Sequence, residues 1–186
     1  MMWDTFSNRW HFKGILTTKT AIRVGAGSET HDPVSTDLPI VKDTRGKPYI
    51  PGSSLKGVVR SRLEQLVRTM EIPREQDEQS HRQVEWDGRS ACDPLDHDRC
   101  CVTKDVVEAA RNRNPNGWPR EIYQRSCRIC RLFGSQWIAG KVSIADLYPT
   151  SDTAVLSELR DGISIDRDKG TVSNKFDFEV VSVGST

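Results

Sequence analysis

The run Pro48-Tyr49-Ile50-Pro51-Gly52-Ser53-Ser54-Leu55-Lys56-Gly57-Val58-Val59-Arg60 allows few local structures. Tyr49 and Ile50 suit a short strand, and Pro51-Gly52 ends it, because proline lacks an N–H and glycine weakens extended structure. Ser53 or Ser54 can then cap a helix by accepting from the free N–H groups of its first turn. Leu55, Val58, Val59, Leu63, Leu66, Val67 and Met70 follow at three- and four-residue steps. That spacing predicts one apolar stripe on a helix reaching about Met70, turned towards a core. Lys56 and Arg60 fall one turn apart on a different face, near a helix start whose N–H groups and dipole favour anions. Ser53, Ser54, Lys56 and Arg60 together suit a nucleic-acid phosphate backbone, which they would hold without reading bases. A capped amphipathic helix with solvated basic residues would carry the same side chains.

Around this helix the chain reads as α+β. Residues 10–24 alternate loosely through Phe12, Ile15, Ala21, Ile22 and Val24 and predict a first strand, closed by Gly25-Ala26-Gly27. A polar loop precedes a short extended run at Leu38-Pro39-Ile40-Val41, and Arg45-Gly46-Lys47 turns that run into Tyr49-Ile50 as a small hairpin. Residues 73–126 are dominated by charged and amide side chains, with little periodicity except near Val102–Ala110. They read as an insertion whose ends a metal would order. Lys141–Tyr148 alternates as a strand central to the sheet, and 150–160 reads as a connector. Residues 162–180 form a long hairpin, with Phe176, Phe178 and Val180 on one face of the returning strand. At 186 residues the whole chain, 1–186, reads as a single domain.

Charge narrows the functional classes. With 27 Lys plus Arg against 26 Asp plus Glu, the net charge of +1 supplies no global attraction to nucleic acid, so any such surface must be a local patch. Arg125, Arg128, Arg131, Arg167 and Lys169 are candidates for one, and Phe176 or Phe178 could stack on a base, although both also suit a core. The sequence has no signal-like N-terminus and no apolar run of about 18 residues, so a cytoplasmic, membrane-free protein is expected.

Five cysteines in such a compartment favour metal or redox chemistry over disulfides. Cys127-x-x-Cys130 supplies two tetrahedral ligands from one tight turn, and Cys92 and Cys100 are the candidates for the other pair. Cys101 competes with Cys100, and His97 could replace either. Four protein ligands leave no open position, so this Zn²⁺ would be structural. Buried free thiols without metal are the alternative.

A second chemical candidate is the loop His31-Asp32-Pro33-Val34-Ser35-Thr36-Asp37. Two carboxylates there could hold a hard divalent cation or position a ribose 2′-hydroxyl against the adjacent phosphate. Ordinary turn chemistry explains loop aspartates equally well and is the reading given to Asp43. His31 could act as a general acid or base.

Pro-Tyr-Ile-Pro-Gly-Ser-Ser-Leu-Lys-Gly at 48–57, Ser-Cys-Arg-Ile-Cys-Arg-Leu-Phe-Gly at 126–134, and Gly-Ile-Ser-Ile-Asp-Arg at 162–167 followed by Phe-Asp-Phe-Glu-Val-Val at 176–181 resemble, in this order, the RAMP-superfamily backbone subunits of CRISPR type III effectors. The units of the fused single-chain effectors are similar too. The resemblance implies a ferredoxin-like palm of the RNA-recognition-motif type, with a zinc-knuckle insertion and a thumb hairpin that presses between base pairs. On that resemblance the second helix and fourth strand of the palm are not expected within these residues. It implies guide CRISPR RNA, target RNA and other effector subunits, or the remainder of a fused chain, as partners. Asp37 matches the aspartate required for target cutting and Asp32 a second acidic residue, with Mg²⁺ for cleavage; Ser53, Ser54, Lys56, Arg60 and Arg167 would face RNA. A non-catalytic guide-binding scaffold and a guide-processing ribonuclease are the alternatives.

Overall fold

The computed structural model describes residues 8–27, 36–70, 91–97, 99–150, 155 and 157–185. They form an α+β chain of four helices followed by one antiparallel strand pair. The contacts divide it into two units, one built from Gly52–Ile144 and the other from Asn8–Pro51 with Ala145–Thr186.

The helical unit begins with α1 (Gly52–Met70). The helix starts at Gly52, so Ser53 and Ser54 lie exposed within its first turn and not at its cap. Its inward face differs from the expected apolar stripe. Val58 is 67% and Met70 75% exposed, whereas Arg60, Leu63, Glu64, Val67 and Arg68 are half-buried. Periodicity counts hydrocarbon only. Here the guanidinium groups find acceptors on the inside, which removes the usual penalty of turning them inward.

The segment read as an unorganised insertion carries two helices from Lys104 onward, whereas its described residues before that are irregular. α2 (Lys104–Arg113) and α3 (Trp118–Arg125) pack around Val102, Val107, Ala110 and Ile122. α3 starts with Pro119 in its first turn, where the missing N–H costs nothing. α4 (Arg128–Phe133) follows directly, and its Cβ-free neighbours allow a tight return. A Cβ on Gly140 would lie 2.4 Å from the Phe133 carbonyl oxygen, and Gly134 has φ +95°.

In the other unit, β1 (Ser157–Ile165) pairs with β2 (Val172–Val181) from Ser157↔Val181 to Ile165↔Val172. The hairpin therefore starts five residues before the expected Gly162, inside the segment read as a connector. Gly162 faces Phe176, and a Cβ there would lie 2.5 Å from the Phe176 ring. At the tip the Asp166 carboxylate accepts from the N–H groups of Asp168 and Lys169, at 2.9 and 3.2 Å, and Arg167 is exposed.

The expected strands at 10–24 and 141–148 are reduced to isolated bridges. Ile22 pairs with Val181, Gly25 with Ile40, and Ile50 with Leu147. Leu38 bridges Phe178 in parallel, and Lys42 pairs with Pro48 across the small hairpin that was expected there. Alternation was a poor guide because these segments touch a neighbour at single positions, too few to build a ladder.

Candidate functional site

Three short segments of the helical unit bring four thiols together. Cys92 comes from the stretch ahead of α2, Cys101 from the approach to it, and Cys127 and Cys130 from the start of α4. Cys127 is the N-cap of α4, and its Sγ accepts from the Cys130 N–H at 3.3 Å. The ligand atoms of Cys92, Cys101, Cys127 and Cys130 all lie within 4.8 Å of one another, and Cys92 Sγ is 3.5 Å from Cys130 Sγ. A tetrahedral zinc with Zn–S bonds of about 2.3 Å has S···S edges of about 3.8 Å. The donor set fits.

The fourth corner is Cys101, not Cys100. The Cys100 thiol turns away and donates to the Val102 carbonyl at 3.3 Å, and His97 sits 3.6 Å from the Asp105 carboxylate. Consecutive residues of an irregular segment point in different directions, so spacing could not choose between the two cysteines.

Packing four thiols this closely splits their acidities. Hydrogen bonds from Cys101, Cys130 and Cys92 hold the Cys127 thiol far below its ordinary value, whereas the same network, with Cys101 first and then Cys127, pushes Cys130 far above. One site cannot hold four thiolates unless a cation joins them.

Cations already approach the cluster from α1. Arg60 donates through Nε to Glu64 at 2.8 Å, through Nη1 to the Gly134 carbonyl at 2.9 Å, and through Nη2 to Cys130 Sγ at 3.7 Å. Burial works against its charge, but the Glu64 hydrogen bond and the Cys130 and Cys92 sulfurs outweigh it and hold its pKa above the usual value. Arg68 donates to the carbonyls of Ala91 and Cys92. Arg131, another member of the expected basic set, donates to the Tyr123 carbonyl and lies over the Tyr123 ring. Arg125 and Arg128 are exposed, as is Lys169 at the hairpin tip, whereas Lys56 is half-buried.

In the strand unit Asp37 is exposed next to β2, where its carboxylate accepts from the Asp177 N–H at 3.1 Å. The Asp177 carboxyl is raised above its ordinary value, first by its hydrogen bond with Asp37 and further by Asp37 and Asp161 charge. Asp177 was not among the residues singled out from the sequence. Its alternation within Phe-Asp-Phe-Glu marks it as a strand residue only, and its partner is 140 positions away. Asp32 and His31 lie outside the described residues. Phe176 and Phe178 are half-buried with ring centroids 6.1 Å apart.

A family model of the RAMP superfamily matches residues 15–185. The chain belongs to that superfamily. Over 60 residues it is 38% identical to the CRISPR system Cms endoribonuclease Csm3 of Methanocaldococcus jannaschii, covering 32% of this chain and 24% of that protein. The match thus spans about a quarter of the relative's length. Two cryo-EM structures, type III-B Cmr-beta in the apo state and Cmr-beta bound to cognate target RNA, align with TM-scores of 0.39 and 0.40 at 16% identity. Each alignment covers 91% of this chain and 79% of the matched chain. Among the described residues no helix is long and apolar enough to cross a membrane.

Proposed function

We propose that this chain is a backbone subunit of a type III CRISPR effector that holds guide RNA and cuts the target RNA paired to it. The observation that carries the reading is Asp37, an exposed carboxylate whose orientation is fixed by the Asp177 N–H of the hairpin. A carboxylate oriented in this way can accept the proton of a ribose 2′-hydroxyl as its oxygen attacks the adjacent phosphorus and the 5′-oxygen leaves. It can equally hold a divalent cation such as Mg²⁺, which would supply charge stabilisation at the phosphate. Asp32 is the second proposed carboxylate. Ser53, Ser54 and Lys56 of the first turns of α1, with Arg167 at the hairpin tip, are the proposed contacts to RNA phosphates.

In this reading the four-cysteine cluster holds a structural Zn²⁺, with Cys101 in the place first given to Cys100. A reduced thiol cluster suits the cytoplasm. The partners are guide CRISPR RNA, target RNA and neighbouring effector subunits or further parts of a fused chain. Asp37→Ala in the assembled effector should leave target binding unchanged and lower the cleavage rate by at least about 100-fold, in line with loss of a catalytic acid–base or metal-holding group. Unchanged cutting would leave a guide-binding scaffold, and unchanged cutting in chelator would leave a metal-independent processing ribonuclease.

A further inference from the structure

The most informative anomaly in the helical unit is the face that α1 turns inward. Val58, Val59, Leu66 and Met70 are 67, 37, 43 and 75% exposed, while Arg60, Glu64 and Arg68 are turned towards the cysteine cluster. Their spacing of four puts the three on one stripe of the helix, each a turn above the last. Glu64 joins the two arginines, with Oε1 2.8 Å from Arg60 Nε and Oε2 3.9 Å from Arg68 Nη2. Burying a charged ladder and leaving valines outside is costly unless the ladder meets groups that need it.

What it meets is the frame of the thiol cluster. Arg60 reaches Cys130 Sγ and the Gly134 carbonyl just beyond α4, so it grips the knuckle. Arg68 reaches the Ala91 and Cys92 carbonyls, so it grips the segment that delivers a third thiol. Four thiolates around one Zn²⁺ carry a net charge of −2, and all four sulfurs here belong to buried or half-buried residues. Such a site needs nearby positive charge and N–H donors to sulfur.

We propose that Arg60, Glu64 and Arg68 form the outer shell of the four-cysteine metal centre, with Arg60 the cation that offsets its thiolate charge and Arg68 the brace of the Cys92 segment. The inference rests on the reading that the cluster holds zinc. It makes Arg60 a positioning residue of the metal centre and removes it from the RNA contacts. It also ties α1, whose first turns carry Ser53, Ser54 and Lys56, to the metal: loss of zinc would loosen the two segments that Arg60 and Arg68 grip, leaving the packing of Leu63 and Val67 to hold the helix.

The test uses the full chain loaded with Zn²⁺ and titrated with a competing chelator. Arg60→Met should weaken zinc retention about 10- to 100-fold, the usual effect of removing an outer-shell partner. Arg60→Lys, which keeps the charge but not the forked geometry, should recover part of it. Arg62→Ala removes an exposed arginine that bonds Gln65 on the same helix, and it should match the parent. In the Co²⁺-loaded protein, the thiolate-to-cobalt charge-transfer band of Arg60→Met should move to longer wavelength, because a sulfur without an N–H donor gives up its electrons more readily. Equal zinc retention in parent and Arg60→Met would overturn the proposal. So would weaker retention with an unmoved cobalt band, which would reduce Arg60 to a packing role. Should Arg60→Met not fold, Arg60→Lys and Glu64→Gln carry the test, and parental retention in both would overturn it. A parent chain that takes up neither metal would instead refute the metal centre itself.

Discussion

Glu179 of β2 is 6% exposed, and it is a carboxylate. Its oxygens meet Lys42 Nζ at 2.6 Å and the Ile40 N–H at 3.3 Å. Lys42→Met keeps much of the side-chain stem and removes only the ammonium, leaving the carboxylate with too few partners. Breaking a fully buried pair costs about 3–5 kcal/mol and an exposed one under about 1 kcal/mol. The Glu179 side chain is 9% exposed but Lys42 is 37% exposed, so water partly screens the charge and a cost of about 2 kcal/mol is expected at pH 7. Burial tends to raise the Glu179 pKa, but Lys42, with help from Ser157 and the Ile40 N–H, holds it below the usual carboxylate value. A depressed folded-state value means that the parent gains stability above the unfolded value of about 4.3 and loses it as pH falls through the folded value. The Lys42→Met deficit should therefore be full at pH 7 and shrink as pH falls through the parent's folded-state value and the carboxyl becomes neutral. Amide exchange at Ile22 and Val181, which donate to each other's carbonyls at 3.0 and 2.8 Å, reports on this unit alone. A deficit that stays the same as the carboxyl is titrated from pH 7 into acid would show that Lys42 acts by packing, and no deficit at pH 7 would refute the pairing argument.

Gly162→Val should cost about 1–3 kcal/mol, because its side chain has to displace the Phe176 ring; a thermal melt with no shift would contradict the tight cross-strand pair. Cys101→Ser should strip zinc and loosen the helical unit, whereas Cys100→Ser should leave zinc content at the parental level; elemental analysis separates them. Lys56→Ala should weaken RNA binding evenly across sequences and lower the slope of log affinity against log salt by about 0.7 to 0.9, as measured by titrations at several salt concentrations.

How much of this was visible in the sequence depended on which residues carried each feature. α1 was readable from its Pro-Gly break and three–four spacing, but only part of its stripe turns inward, because Arg60 and Arg68, half-buried beside Leu63 and Val67, reach carbonyls and a sulfur supplied by distant segments. The hairpin was readable from alternation at Gly162–Ile165, yet Ser157–Asp161 carries polar residues on exposed positions and gave no strand signal. α3 offered a proline in its first turn but buries only Ile122, too little to show a period. Cys127-x-x-Cys130 marked two members of the thiol cluster, while the choice of Cys101 needed the fold. Asp37 stood out through family resemblance alone, and the Asp177 N–H that orients it lay beyond any local reading.

The strand unit is discontinuous in sequence, with Gly52–Ile144 interposed between its two parts. The Thr18 hydroxyl bonds the Ser182 carbonyl across 164 positions, and Ile22 and Leu38 form their bridges with β2. On a ribosome moving at about 5–20 residues per second, the first part emerges roughly 6–26 s before the strand that completes it. The helical unit, whose helices and four clustered cysteines all lie within one continuous stretch, can close in that interval. The backbone groups of Ile22 and Leu38 that pair with β2 meanwhile wait without those partners. For this chain the vulnerable period is therefore set by translation speed, and slowing synthesis between codons 52 and 171 should increase the dependence of its yield on chaperones.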